Sequence, residues 1–183
     1  MKDFIQMLPK ILLVFVIIVI CYTFSCKQQV AEGLTEVEAN VILDKILKVY
    51  NEGNLALVEE IIAPENKLHH SVHPEDIVGV EAFKNYITNT RSSFPDMNLT
   101  FDETVVKGNN IITRWTFAGT NTGSIGELPA TGKKVSYSGL SLSHITNGQF
   151  AESWIIFNVL ELYKQLGFTV MPPQEQTEAS PTT

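Results

Sequence analysis

Hydrophobic residues along this chain follow two spacings in succession, and an unbroken apolar run precedes both. From Ala39, apolar side chains recur at Ile42, Leu43, Ile46, Val49 and Tyr50, with Glu38, Asp44, Lys45 and Lys48 off that stripe. The spacing predicts an amphipathic helix. Thr35 and Glu38 stand in capping-box relation at its start, and Gly53 marks its end. Residues 55–62 read as a second, short helix stopped by Pro64. A third opens at Gly79, keeps Val80, Phe83, Ile87 and Phe94 on one side, and closes at Phe94-Pro95-Asp96. The period then drops to two. Strands are predicted over residues 97–107, 111–120, 134–146 and 149–157, turned by Gly108-Asn109 and Asn147-Gly148, with a glycine-rich loop over 121–133. A last helix places Val159, Leu162, Tyr163 and Leu166 on one face before Gly167. Helices first and an antiparallel sheet after argue an α+β domain.

The Asn147-Gly148 turn carries the most information. Asn-Gly tolerates the positive φ values of a type I′ hairpin, and a two-residue turn sets the register of the strands it joins. His144 then lies opposite Ala151, Ser143 opposite Glu152, Ser141 opposite Trp154 and Tyr137 opposite Asn158. Alternation sorts the side chains into two faces. One collects Tyr137, Ser141, Ser143, Phe150, Glu152, Trp154, Ile156 and Asn158, mixing aromatics with hydroxyls, a carboxylate and an amide, as a ligand cavity does. The other is plainly apolar at Leu140, Leu142, Ile155 and Phe157. That second face is either a dimer surface or, with the two sides reversed, core.

Composition adds limits. Among 183 residues the net charge is −7, and no Lys/Arg cluster occurs, which argues against nucleic-acid binding. The two cysteines, Cys21 and Cys26, both precede the domain, so it has no internal disulfide and no cysteine metal site. Lys2 and Lys10 precede the apolar run of residues 11–20, which reads as an export signal over 1–26. The run ends in Thr23-Phe24-Ser25-Cys26, similar to a bacterial lipoprotein signal with Cys26 as the lipidated residue; an uncleaved membrane anchor is the alternative. Either places the domain outside the cytoplasm, tethered by residues 27–34, with 35–167 folded and 168–183 a disordered tail.

Residues 67–76 read as an irregular polar loop holding His69, His70 and His73. Pro74 breaks any helix that would gather them around a metal, so none is expected; the loop is solvated, or one histidine faces the cavity. Arg114 alternates with Trp115, so only one of them faces inward. Arg114 there would bind a carboxylate or enolate; outside, it would pair with Glu103.

The ordered motifs Phe94-Pro95-Asp96, Arg114-Trp115-Thr116-Phe117, Gly119-Thr120-Asn121-Thr122-Gly123, Pro129-Ala130-Thr131-Gly132, Gly148 with Glu152-Ser153-Trp154, and Gln165-Leu166-Gly167 resemble those of the SnoaL-like polyketide (ester) cyclases. The resemblance covers residues 34–167. It implies the nuclear transport factor 2-like fold, with helices covering a curved antiparallel sheet and a conical cavity between. It also implies ring closure by intramolecular aldol condensation without metal or organic cofactor, an acidic side chain moving the α-proton. The family's Asp, four residues after the tryptophan matching Trp154, is Asn158 here, and Asn121 replaces a second titratable group. Asparagine cannot act as a general base. Asn158 either polarises a ligand carbonyl or ties the strand end to the helix start. Glu152 is a replacement base or a rim carboxylate. Two functions follow: a cofactor-free cyclase or isomerase using a histidine base with Asn158 and Asn121 as polarisers, or a non-catalytic, membrane-tethered protein binding a small, partly apolar molecule.

Overall fold

The computed structural model describes residues 33–169 and 171. The signal read over 1–26 with its Cys26, residues 27–32 of the tether, and residues 170 and 172–183 of the tail lie outside the described residues. Among the described residues no helix is long and apolar enough to cross a membrane.

Helix α1 (Glu36–Glu52) starts where its capping box closes: Thr35 Oγ1 accepts from the Glu38 N–H at 3.2 Å, and Glu38 Oε2 accepts from the Thr35 N–H at 2.9 Å. Gly53 ends it in the left-handed region, at φ 72°. Its buried residues are the six apolar positions of the predicted stripe. A 3-10 turn (Leu55–Leu57) and the one-turn α2 (Val58–Ile61) follow, and α3 (Gly79–Ser93) buries Phe83 and Ile87.

The sheet holds six strands where four were expected. Between α2 and α3 run β1 (Ile62–His70) and the short β2 (Ile77–Val78); then come β3 (Asn98–Lys107), β4 (Asn110–Thr120), β5 (Lys134–Thr146) and β6 (Gln149–Phe157). Their order is β2-β1-β6-β5-β4-β3, with β1 parallel to β6 and all other pairs antiparallel. Strand β1 corrects two expectations, the short helix running to residue 62 and the irregular loop over 67–76. Pro64 and the polar run Glu65-Asn66-Lys67 hide it, because only Ile62, Asn66 and Leu68 are buried there. The register with β6 shifts between Ile62 and Lys67, so Pro64, which has no N–H to give a ladder, falls in the unpaired interval.

The β5–β6 hairpin turns at Asn147 and Gly148, with φ 52° and 75°. Beyond the turn the register departs from the two-residue-turn expectation. Ile145 pairs with Phe150, but His144 pairs with Glu152, so Ala151 is an extra, bulged residue. Ser143 therefore meets Ser153 and Ser141 meets Ile155, instead of Glu152 and Trp154 as expected. One inserted residue reverses every later side chain of β6.

Helices α1 and α3 lie over the curved sheet and enclose the core with it. Helix α4 (Val159–Leu166) packs on β5, where Gln165 accepts from the Ser136 N–H at 2.7 Å and donates to its carbonyl at 2.9 Å. On the opposite face Ile112, Leu140, Leu142 and Ile156 are exposed. The apolar surface expected at Leu140, Leu142, Ile155 and Phe157 thus keeps its β5 members, and Ile155 and Phe157 turn inward instead.

At Gly139 the chain passes under the Trp115 ring: a Cβ would sit 2.2 and 2.5 Å from Trp115 carbons and 2.7 Å from the Ile156 carbonyl oxygen. Gly139→Ala is expected to lower stability in urea unfolding by about 1–3 kcal/mol, the usual cost of forcing atoms into a packed site. Wild-type stability would show that the indole is free to move away.

Candidate functional site

Between the helices and the sheet lies a cavity of about 570 Å3. Part of its wall is aromatic. Trp115, Phe117, Tyr137 and Phe157 pack with ring centroids 4.9 to 6.1 Å apart, mostly edge-to-face or tilted. A polar band crosses the sheet beside them. Register sets His70 next to Ile155, Ile155 opposite Ser141, and Ser141 opposite Thr113; the adjacent row holds Leu68, Ser153, Ser143 and Ile111. Ser141 Oγ accepts from Trp115 Nε1 at 2.8 Å. Among the described residues no Asp, Glu, Lys or Arg lines the cavity.

Histidines 70 and 73 are the titratable imidazoles of this wall. His70 Nε2 lies 3.3 Å from the Tyr86 hydroxyl, and Nδ1 accepts from the Val72 N–H at 3.4 Å. Since a backbone N–H can only donate, that pattern leaves the proton of the neutral ring on Nε2. Burial, and then the neighbouring His73, pushes the His70 pKa down to about 4. His70 is thus a neutral donor aimed at Tyr86 and the cavity. Burial raises the phenol pKa of Tyr50, Tyr86 and Tyr137, which keeps all three protonated.

Strand alternation sends His69 to the opposite side of the sheet. There its ring stacks on Trp154, with centroids 4.9 Å apart. Nδ1 lies 2.7 Å from Asp76 Oδ1 and Nε2 lies 2.9 Å from Glu152 Oε1. Carboxylates accept only, so both bonds together require the imidazolium. The Glu152 hydrogen bond accordingly leads in raising the pKa of His69.

Several sequence-predicted site residues lie away from the cavity. Glu152, Trp154 and Ile156 face outward because of the bulge at Ala151, and Ile156 is 63% exposed. Arg114 is outside because Trp115 takes the inward position; it pairs with Asp102 at 3.0 Å and Glu103 at 3.5 Å. Asn121 is fully buried but serves its loop, accepting from the Thr131 N–H at 2.8 Å and donating to the Gly123 carbonyl at 2.7 Å. Asn158 is the N-cap of α4, its Oδ1 accepting from the Glu161 N–H at 3.1 Å. Tying strand end to helix start is the work it does. His70, His73, Tyr137 and Ser141 do line the cavity. Among the described residues no three potential metal ligands are gathered.

Sequence reading passed over Asn66, Tyr86, Thr113 and Ser153, all on the cavity wall. Asn66 sits in the hidden strand, Ser153 beyond the bulge, and Tyr86 on α3 outside the apolar positions read there. Thr113 alternates with Ile112 and Arg114 in a strand already predicted, so its inward direction was available from Trp115.

Residues 40–166 match the family described as SnoaL-like polyketide cyclase. Among solved structures, TsrD from Streptomyces laurentii is 30% identical, with 74% of this chain and 98% of that one covered and a TM-score of 0.67. A candidate polyketide cyclase from Acidithiobacillus ferrooxidans is 25% identical over 71% of this chain and 94% of its own, with a TM-score of 0.64. A Catenulispora acidiphila protein with a ketosteroid isomerase-like fold, solved with trimethylamine, is 10% identical over 72% and 97% with a TM-score of 0.61, a likeness of fold alone. No curated protein matches the sequence. The helix-covered sheet is the nuclear transport factor 2-like fold, and with the match over residues 40–166 the chain belongs to the SnoaL-like polyketide cyclase family.

Proposed function

We propose that this protein admits a small, partly apolar carbonyl compound to its cavity and moves the proton α to the carbonyl. The observation that supports this is the convergence of His70, His73 and Tyr86 on a cavity whose described wall carries no charged side chain of Asp, Glu, Lys or Arg. His73, at the rim, takes the α-proton. The C–H electron pair moves into the carbonyl, and the enolate oxygen is met by His70 Nε2–H and the Tyr86 hydroxyl. A neutral imidazole suits the donor's part, because it polarises an oxygen without bringing a buried charge. Return of the proton to another carbon completes an isomerisation; attack of the enolate carbon on a second carbonyl closes a ring, and the new alkoxide takes the proton back from His73. The supporting residues differ from those the family resemblance implies, since Asn158 and Asn121 hold the fold.

One observation favours a second reading, a non-catalytic binding protein. Without a carboxylate on the described cavity wall, and with Asn158 in place of the family's acid, the cavity can hold a carbonyl compound and leave it unchanged.

Incubation with 2-acetylnaphthalene in D2O separates the two. Exchange at the acetyl methyl, followed by mass spectrometry, is expected to be accelerated by the wild type. His70→Gln and His73→Gln are expected to slow it by about a hundredfold each, the usual worth of one donor or one base. His69→Gln, on the far side of the sheet, is expected to leave it unchanged. Binding without exchange in the wild type establishes the second reading.

Neutral His70 also has a thermodynamic signature. Its folded pKa, about 4, lies below the usual 6.5, so between those values the unfolded chain binds the extra proton and stability rises with pH. On acidification from pH 6.5 to 4 the wild type is expected to lose up to roughly 3 kcal/mol relative to His70→Gln, at about 1.4 kcal/mol per pKa unit. Urea unfolding of both proteins across that range measures it, and parallel curves would place His70 in water.

A further inference from the structure

The cavity wall carries an amide oxygen with no donor and a pair of hydroxyls with one proton to spare, and the two are complementary. Asn66 on β1 is 1% exposed, and its Nδ2 donates to the Phe150 carbonyl at 2.8 Å. That bond determines which way the amide points, since the flipped orientation would set oxygen against oxygen. Asn66 Oδ1 is then left with no donor and no contact with solvent, although the residue borders the cavity. Native proteins rarely leave a buried amide oxygen unpaired. Three residues beyond Phe150 on β6, Ser153 Oγ lies 3.0 Å from Ser143 Oγ, and both serines are buried on the same wall. A pair of hydroxyls shares one proton between its oxygens, so the second proton has no acceptor among the described residues. The same cavity wall thus carries an acceptor without a donor and a donor without an acceptor.

We propose that the ligand carries an alcohol or phenol hydroxyl at its buried end, donating to Asn66 Oδ1 and accepting from the Ser143–Ser153 pair. The proposal rests on the carbonyl-compound reading above and adds the group at the other end of the molecule. A hydroxyl both donates and accepts and carries no charge. A carbonyl oxygen would leave Asn66 unpaired, and an ammonium would bring a charge into a wall with no counter-ion. A methyl ether has no proton to give to Oδ1 and gains nothing there. Four residues separate Asn66 from His70 along β1, roughly 13 Å at 3.3 Å per residue, so both ends of one bicyclic ligand can be engaged.

The test is fluorescence titration of the protein with 6-hydroxy-2-acetylnaphthalene, its 6-methoxy ether and unsubstituted 2-acetylnaphthalene, below the phenol's pKa. The hydroxyl compound is expected to bind about tenfold more tightly than either analogue, in keeping with one well-made buried hydrogen bond. Asn66→Leu removes the acceptor, and Ser143→Ala combined with Ser153→Ala removes both hydroxyls; each is expected to cut the preference for the hydroxyl compound several-fold. The double serine variant leaves the Asn66–Phe150 tie intact, so it serves if Asn66→Leu fails to fold. Equal affinities for hydroxyl and methoxy compounds in the wild type would overturn the proposal while leaving the carbonyl-compound reading standing. A preference that survives undiminished in both the double serine variant and Asn66→Leu would overturn the assignment to these residues. Failure of all three compounds to bind a folded protein would overturn the underlying reading and this proposal with it.

Discussion

One bulged residue decides what this cavity is made of. A strand has two faces and a period of two, so the single insertion at Ala151 exchanges the sides of everything from Glu152 to Phe157. Ser153, Ile155 and Phe157 turn toward the helices, and Glu152, Trp154 and Ile156 turn away. Without the bulge a carboxylate and an indole would enter the cavity, and an apolar strip would face outward. With it, the inward row continues the hydroxyls of β5 and β4, and the aromatic wall of Trp115 and Tyr137 gains Phe157.

The same alternation separates the charged chemistry from the uncharged. His69 and His70 are neighbours in sequence and lie on opposite sides of the sheet. His69 is held between two carboxylates where water still reaches it, and that setting favours its cation. His70 is enclosed among Tyr86, His73 and Phe157, and that setting favours the neutral ring. Burying an unpaired charge costs several kcal/mol, so ion pairs such as Arg114–Asp102 collect on the outer face while the described cavity wall keeps only neutral donors and acceptors. The departures from the family pattern fit this division: Asn158 caps a helix and Asn121 stitches a loop, each satisfying backbone groups.

The amphipathic helices and the four long strands were legible in the amino-acid sequence, because local spacing and local signals specify them. Thr35 with Glu38, Gly53, Asn147-Gly148 and Gly167 each act within a few residues, by satisfying terminal N–H groups or by accepting positive φ. The family motifs were legible for the same reason, being short runs in a definite order. On β5, which lies before the turn, the inward side chains Tyr137, Ser141 and Ser143 could be read correctly. So could the alternation of Arg114 with Trp115, though not which of the two points inward.

Tertiary structure alone decided the rest. Strand β1 forms because β6 offers it a parallel partner nearly ninety residues away; its own Pro64 and polar run argue against a strand. The bulge has no composition signal, since Ala151 suits either register, and the register seen buries both Phe150 and Ser153. Burial in the folded protein, and then His73, lower the pKa of His70, and Asn66 becomes an unpaired acceptor only when Phe150 claims its amide. Sequence determines what each segment can do locally, by period and by turn. Which face meets the cavity, and what charge it carries there, follows from register and burial, which exist only once distant segments have met.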